Sequence, residues 1–139
     1  MMTLQANARL IERYFEEVWN QGRVDVLDDL LTSDYRNHSP GLPDPLPGPA
    51  GLKPIVLMMR EGIPDLHYAI EDLVVAPDRV AAYVRMTGTH AGELFGMAPS
   101  GKAIDVRQMQ IEWIRDGRIC QHWRITEDLK LMRQLGAIL

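Results

Sequence analysis

The stretch Lys102–Thr126, KAIDVRQMQIEWIRDGRICQHWRIT, decides the fold. Asp116-Gly117 at its centre is a strong signal for a two-residue hairpin, because that turn needs backbone conformations which Gly and Asp tolerate. The flanks, Lys102–Arg115 and Arg118 to about Thr126, are rich in β-branched and aromatic residues and read as paired antiparallel strands. On the second of them His122, Arg124 and Thr126 share one face, with Trp123 and Ile125 on the other. On the first, the apolar residues fall at even positions (Ile104, Val106) and then at odd ones (Met109, Ile111, Trp113). A strict two-residue period cannot change face without an extra residue, so a β-bulge is predicted near Arg107 and Gln108.

Upstream, Arg79–His90 and Leu66–Ala76 read as two further strands joined at Pro77-Asp78, with a Gly-rich connection from Ala91 to Gly101. The first part of the chain is helical in pattern. Leu4, Ala8, Ile11, Phe15, Val18 and Trp19 recur at helical spacing between Thr3 and Asn20, and Gly22 supplies a stop. A shorter helix sets Val24, Leu27, Leu30 and Leu31 against an acidic face of Asp25, Asp28 and Asp29. A third is expected from about Ala50 to Glu61, with Pro54 tolerable in its first turn. Between them, Tyr35–Pro49 (YRNHSPGLPDPLPGP) holds five of the nine prolines, so neither a helix nor a central strand is expected there. Asp128–Leu135 reads as a closing helix that ends near Gly136.

Helices first and an antiparallel meander after them predict one α+β domain spanning residues 1–139. Three helices on the concave side of a curved sheet form a cone, and the open end of a cone is a pocket. Both faces of the sheet carry apolar residues, so a homodimer or higher homo-oligomer through sheet faces is expected.

With 139 residues, 46% hydrophobic and 24% charged, the composition is that of a globular protein with a core of its own. The net charge of −4 and the scattered basic residues exclude the basic stripe of a nucleic-acid binder. There is no apolar run long enough to span a membrane and no basic, apolar leader, so a cytoplasmic location is expected. Cys120 is the only cysteine and reads as a packing residue. His38, His67, His90 and His122 lack metal-ligand spacing, so no metal is expected. The methionines Met58, Met59, Met86, Met97 and Met109 suit core filling, or the lining of a site for a flat apolar ligand.

Four stretches carry a family resemblance. Gly88–Gly101 (GTHAGELFGMAPSG) resembles the GTHxGxxxGxxPTG signature of SnoaL-like polyketide cyclases. Asp116-Gly117-Arg118-Ile119, Gln121-His122-Trp123 and Arg133-Gln134-Leu135-Gly136 resemble their DGKI, EHW and RQLG ending. Phe15, Trp19, Asn20 and Gly22, and then Tyr35, Asn37 and His38, add two elements near the N-terminus. The resemblance implies the NTF2-like cone, no metal or organic cofactor, and an intramolecular aldol condensation on a small, apolar, carbonyl-bearing ligand. It implies a base that removes a proton alpha to a carbonyl and donors that hold the enolate.

Carried over by position, the aspartate of those cyclases falls on Arg124 and a pocket histidine on Gln110. Arg124 and His122 are then the candidate catalytic residues, with Tyr35, Asn37, Gln108, Gln110 and His90 as candidate substrate-binding residues. Arginine is no general base at neutral pH, but it holds carboxylates and oxyanions. Glu127 and Asp128 are the nearest carboxylates to that position, and either a displaced base or a helix cap fits them. Two other readings stay open: a non-catalytic ligand-binding module, and an epoxide-hydrolase-like enzyme on the same cone. Tyr35-Arg36-Asn37 matches the latter, whereas Arg85-Met86-Thr87 lacks its aspartate.

Overall fold

The computed structural model describes residues 3–39, 41 and 45–138. The middle of the proline-rich segment therefore lies outside the described residues. An α+β architecture is present. Helix α1 (Leu4–Arg13) runs on as a π-helical segment, Tyr14–Asn20, followed by a 3₁₀ turn at Val24–Val26 and a short α2 (Leu27–Leu30). Then come β1 (Leu31–Asn37), α3 (Pro49–Gly62), β2 (His67–Val75), β3 (Arg79–Thr89), β4 (Ala103–Arg115), β5 (Arg118–Thr126) and α4 (Asp128–Leu135). The five strands form one sheet in the order β1-β5-β4-β3-β2, antiparallel except where β1 lies parallel to β5. No helix among the described residues is long and apolar enough to cross a membrane.

The hairpin forms as read, with Asp116 at φ 52° and Gly117 at φ 76°. Gly136 closes α4 in the left-handed conformation at φ 79°, a usual helix stop. Three expectations need correction. Tyr35–Asn37 belongs to a strand, not to the proline-rich loop. The prolines begin only at position 40, and β1 is an edge strand whose register with β5 shifts between Leu31 and Arg36, which erases any alternation in LTSDYRN. Pro54 sits inside α3 rather than in its first turn, because the helix starts at Pro49; the carbonyl it leaves unbonded, four residues back, belongs to the exposed Ala50. The bulge expected at Arg107 and Gln108 is absent, since β3 and β4 pair without a slip from Arg79↔Trp113 to Thr89↔Ala103. The register shifts that do occur leave Glu71 of β2 unpaired against β3 and Cys120 of β5 unpaired against β4, opposite the step from Trp113 to Ile114.

Because β4 is unbroken, its inward row is Ile104, Val106, Gln108, Gln110, Glu112 and Ile114, all buried. The hydrophobic pattern changes face and the backbone does not. The inner half of the strand is apolar, the other half buries three polar side chains, and Met109, Ile111 and Trp113 face outward.

Helices and sheet enclose a core in which Ile11, Phe15, Val18, Leu27, Val56, Val80, Val84, Val106 and Ile119 are fully or almost fully inaccessible. Polar latches fix the helices on the strands. Asn7 Nδ2 donates to the carbonyls of Ala76 (2.9 Å) and Pro77 (3.1 Å). Asn20 accepts from the Tyr68 N–H at 2.7 Å and donates to the Tyr68 carbonyl at 3.0 Å. Arg60 of α3 caps the π-helical segment by donating to the carbonyls of Trp19 (2.7 Å) and Asn20 (3.1 Å).

The Gly-rich connection is tied to the end of α3, where the N–H groups of Ala91 and Gly92 donate to the Gly62 carbonyl. A Cβ on Gly92 would stand 2.1 Å from the Glu61 carbonyl oxygen, and a backbone atom cannot rotate away. Gly92→Ala is therefore expected to cost about 1–3 kcal/mol in urea unfolding. A variant as stable as the wild type would contradict this close approach.

Candidate functional site

Between α3, α4 and the inner face of the sheet lies a half-open cavity of about 480 Å³. Its walls are largely apolar. Trp19 comes from the π-helical segment, Ile55, Met58 and Met59 from α3, Tyr68 and Met86 from β2 and β3, and Leu131 and Met132 from α4. Phe95 reaches in from the Gly-rich connection, and Ser39 and Gly41 form part of the rim. The widened π-helical turn carries Trp19 and Asn20, so the residue that lines the cavity is locked to β2 through its neighbour.

Three polar side chains of the lining stand out. Gln108 is buried on β4, Arg124 half-buried on β5, and Asp128 exposed in the first turn of α4. The Gln108 Oε1 accepts from Gln110 Nε2 at 2.7 Å, and its Nε2 meets the sulfur of Met86, at 3.8 Å, and lies beside the Tyr68 hydroxyl. A thioether is a weak acceptor, so donor capacity remains toward the cavity. Arg124 is held by β1's continuation: its N–H donates to Ser39 Oγ (2.9 Å) and its Nη2 to the Ser39 carbonyl (2.8 Å).

Behind this lining lies a second, fully enclosed polar cluster. His122 Nδ1 stands 2.6 Å from Glu112 Oε1, and neither side chain is more than 2% exposed. Burial pushes the Glu112 carboxyl above the usual carboxylate range, against the opposing pull of His122 and Arg124. Tyr14 and Tyr35 lie close enough to feel the Glu112 charge, and Tyr68 stands in the cavity wall. Burial raises all three phenols, Tyr68 to about 12, so they stay neutral donors. The Tyr35 hydroxyl, Gln110 Oε1 and Glu112 Oε2 have no hydrogen-bond partner among the described residues. Buried polar atoms in that condition are where water or a ligand group is held.

The structure thus divides the residues singled out from the sequence. Arg124 and Gln108 line the cavity. His122, Gln110 and Tyr35 lie in the enclosed cluster behind it rather than in the wall. Asn37 does not reach the lining, because its Oδ1 accepts from the Ser39 N–H at 2.9 Å and so shapes the loop. His90 is also elsewhere. It is fully buried, its Nδ1 lies 2.8 Å from Ser100 Oγ and accepts from the Ser100 N–H at 3.3 Å, and it braces the Gly-rich connection. Glu127 stands at the N-cap position of α4 without a side-chain capping bond, and its Oε1 accepts instead from the Arg107 N–H at 2.7 Å. Arg85, the arginine of the epoxide-hydrolase comparison, points outward and pairs with Asp105 at 2.6 Å, which removes it from the cavity.

Glu112 escaped the sequence reading altogether. The signal was present: a row of polar residues at inward spacing on a strand whose outward row is apolar. Assuming a bulge reversed the faces and hid it.

Comparison with known proteins agrees with this architecture. The family model for SnoaL-like polyketide cyclase matches residues 9–135. The nogalonic acid methyl ester cyclase of Streptomyces nogalater is 28% identical over 120 residues, covering 85% of this chain and 89% of that one. The aklanonic acid methyl ester cyclase AcmA of Streptomyces galilaeus is 28% identical over 128 residues, covering 89% and 87%. Among solved structures, TsrD from Streptomyces laurentii superimposes with a TM-score of 0.90 at 29% identity, covering 99% of this chain and all of that one. With its cone of helices on a five-stranded sheet and a family match along nearly its whole length, the chain belongs to the SnoaL-like polyketide cyclases.

Proposed function

We propose that the chain is a cofactor-independent cyclase or isomerase that acts on a polyketide-like carbonyl compound in the half-open cavity. One observation carries this reading: an apolar cavity whose deep polar wall, Arg124 and Gln108, backs onto a buried Glu112–His122 pair. Burying an ionisable pair is costly, and its position behind a ligand-sized cavity favours a chemical role over a packing one. The two relatives named for methyl ester cyclisation support the same chemistry.

In this reading His122 is the base, oriented by Glu112 as a carboxylate orients an imidazole in other enzymes. His122 takes the proton alpha to a carbonyl, and the enolate oxygen is held by N–H donors of Gln108 and Arg124. The enolate carbon then attacks a second carbonyl of the same molecule, forming the ring bond. The resulting alkoxide recovers the proton from His122, so the step needs no oxidant and releases nothing. Tyr35 and Gln110 complete the polar end with their unpaired atoms. Asp128 is left at the rim, where a carboxylate complements the first turn of α4.

A second reading, ligand binding without turnover, is favoured by one feature: His122 is enclosed rather than cavity-lining. Stoichiometric binding with no product from any aromatic polyketide ester or acid would select it.

The outer face of the sheet supports a homodimer. Tyr83, Met109 and Ile125 form one cross-strand row, and Ile111 and Trp123 another; all are exposed. His38 stacks on Trp123 at 4.2 Å, and Arg79 covers Trp113 at 3.6 Å. A contiguous apolar patch of this kind is a usual association surface. Sedimentation is expected to give a dimer for the wild type and a monomer for Trp123→Glu; a monomeric wild type would contradict this.

For the chemistry, His122→Gln is expected to lower kcat by at least about 100-fold. Glu112→Gln is expected to lower kcat as well, because the imidazole loses the group that orients it. Unchanged turnover in both variants would remove the pair from the reaction.

The same pair has a stability signature. The folded state holds the Glu112 proton more tightly than the unfolded chain does. Its contribution is therefore greatest at low pH and is lost as pH rises above the ordinary carboxylate value of about 4.3. Glu112→Gln lacks that loss, so its stability relative to the wild type is expected to climb as pH rises above that value. Parallel stability curves from there upward would contradict a buried ionisable Glu112.

A further inference from the structure

Most outward-facing cations of the sheet have carboxylate partners, and the two without one among the described residues, Arg36 and Arg118, are exposed to water. Arg85 pairs with Asp105, Arg107 with Glu71, and Arg115 with Asp34. Arg124 is different. Among the described residues no carboxylate lies within 4.0 Å of its guanidinium, and its partner is a neutral acceptor, the Ser39 carbonyl, at 2.8 Å on Nη2. That single bond, together with the strand position, pins the orientation of the group. Its Nε and Nη1 have no hydrogen-bond acceptor among the described residues.

This cation also stands in largely apolar surroundings. The cavity around it presents four methionines (Met58, Met59, Met86 and Met132) with Trp19, Tyr68 and Phe95. A guanidinium stays charged at any physiological pH, so a low-dielectric wall of this kind favours an anion beside it. The planar fork of an arginine matches a carboxylate in two-point geometry, and polarisable methionine sulfurs suit the faces of a conjugated ring.

We propose that the ligand of this cavity is a free carboxylate, an aromatic or polycyclic oxo acid in its ionised form, and that Arg124 selects it over the corresponding ester. The proposal rests on the cavity being the substrate site, as argued above, but not on turnover. The carboxylate takes the open edge of the Arg124 fork, and the oxo oxygen lies toward the spare amide donor of Gln108. Neutralising the carboxylate also favours the chemistry, because an uncompensated negative charge makes removal of a nearby α-proton harder. An ester in the same place puts a methyl group against N–H donors and leaves them unpaired.

The test is equilibrium binding, by calorimetry or quenching of tryptophan fluorescence, of anthraquinone-2-carboxylate and its methyl ester. Both are flat, carbonyl-bearing and stable, and they differ only by the methyl group that removes the charge. The wild type is expected to bind the acid about 30-fold more tightly, the scale of two charge-assisted hydrogen bonds in a half-open site. Arg124→Gln is expected to lose that preference while keeping the ester affinity within about threefold, and Arg124→Lys to keep part of it. Thermal melting confirms that each variant is folded. The proposal is overturned if the ester binds the wild type as tightly as the acid, if the preference survives in Arg124→Gln, or if neither compound binds. Acid preference without any turnover would leave this inference standing and remove the catalytic reading. Turnover of esters through His122 with no acid preference would do the reverse.

Discussion

The unbroken register between β3 and β4 governs the rest of the structure. Pairing runs from Arg79↔Trp113 to Thr89↔Ala103 without an inserted residue, so every even-numbered side chain of β4 must point inward. A one-residue slip would place Met109, Ile111 and Trp113 in the interior and expel Gln108, Gln110 and Glu112. The observed register does the opposite. It gives the molecule a polar inner wall where a uniform core would be more stable, and an apolar outer face where water would be expected. The candidate site and the candidate dimer surface are thus two sides of one strand.

The inner wall carries an energetic cost that packing alone does not explain. Desolvation raises Glu112 and the tyrosines around it, which keeps the phenols neutral. Glu112 finds one partner in His122, whereas its second oxygen and the Tyr35 hydroxyl find none among the described residues. An apolar replacement of such a cluster is often neutral or stabilising in proteins. Its presence here, beside a cavity large enough for a polycyclic ligand, fits a site in which the ligand completes the hydrogen bonding. The π-helical segment fits the same view, since it is a costlier backbone than an α-helix and it delivers Trp19 to the cavity wall.

Much of this was legible in the sequence because it is local. Asp116-Gly117 dictates its turn, Gly136 its helix stop, and the alternation of His122, Arg124 and Thr126 against Trp123 and Ile125 survives intact in β5. What was not legible depends on partners that only the folded chain brings together. β1 lacks alternation because it pairs irregularly at the sheet edge with residues some ninety positions away. The placement of Asn37 and His90 was decided by hydrogen bonds to Ser39 and Ser100, short-range contacts that only the folded loop brings about. The change of apolar phase in β4 was visible, but two physical causes produce it. A bulge and a polar interior look alike until the partner strand is seen, and choosing the bulge hid Glu112.

What occupies the cavity decides the role of Arg124 and Gln108, so the decisive measurement is a crystal structure of the protein soaked with an aromatic oxo acid. The predicted result is density with the carboxylate on the Arg124 guanidinium, the oxo oxygen toward Gln108, and the ring between methionines of α3 and α4. Density elsewhere on the molecule, or an Arg124 side chain turned out to solvent over a cavity filled by the protein's own residues, would contradict it.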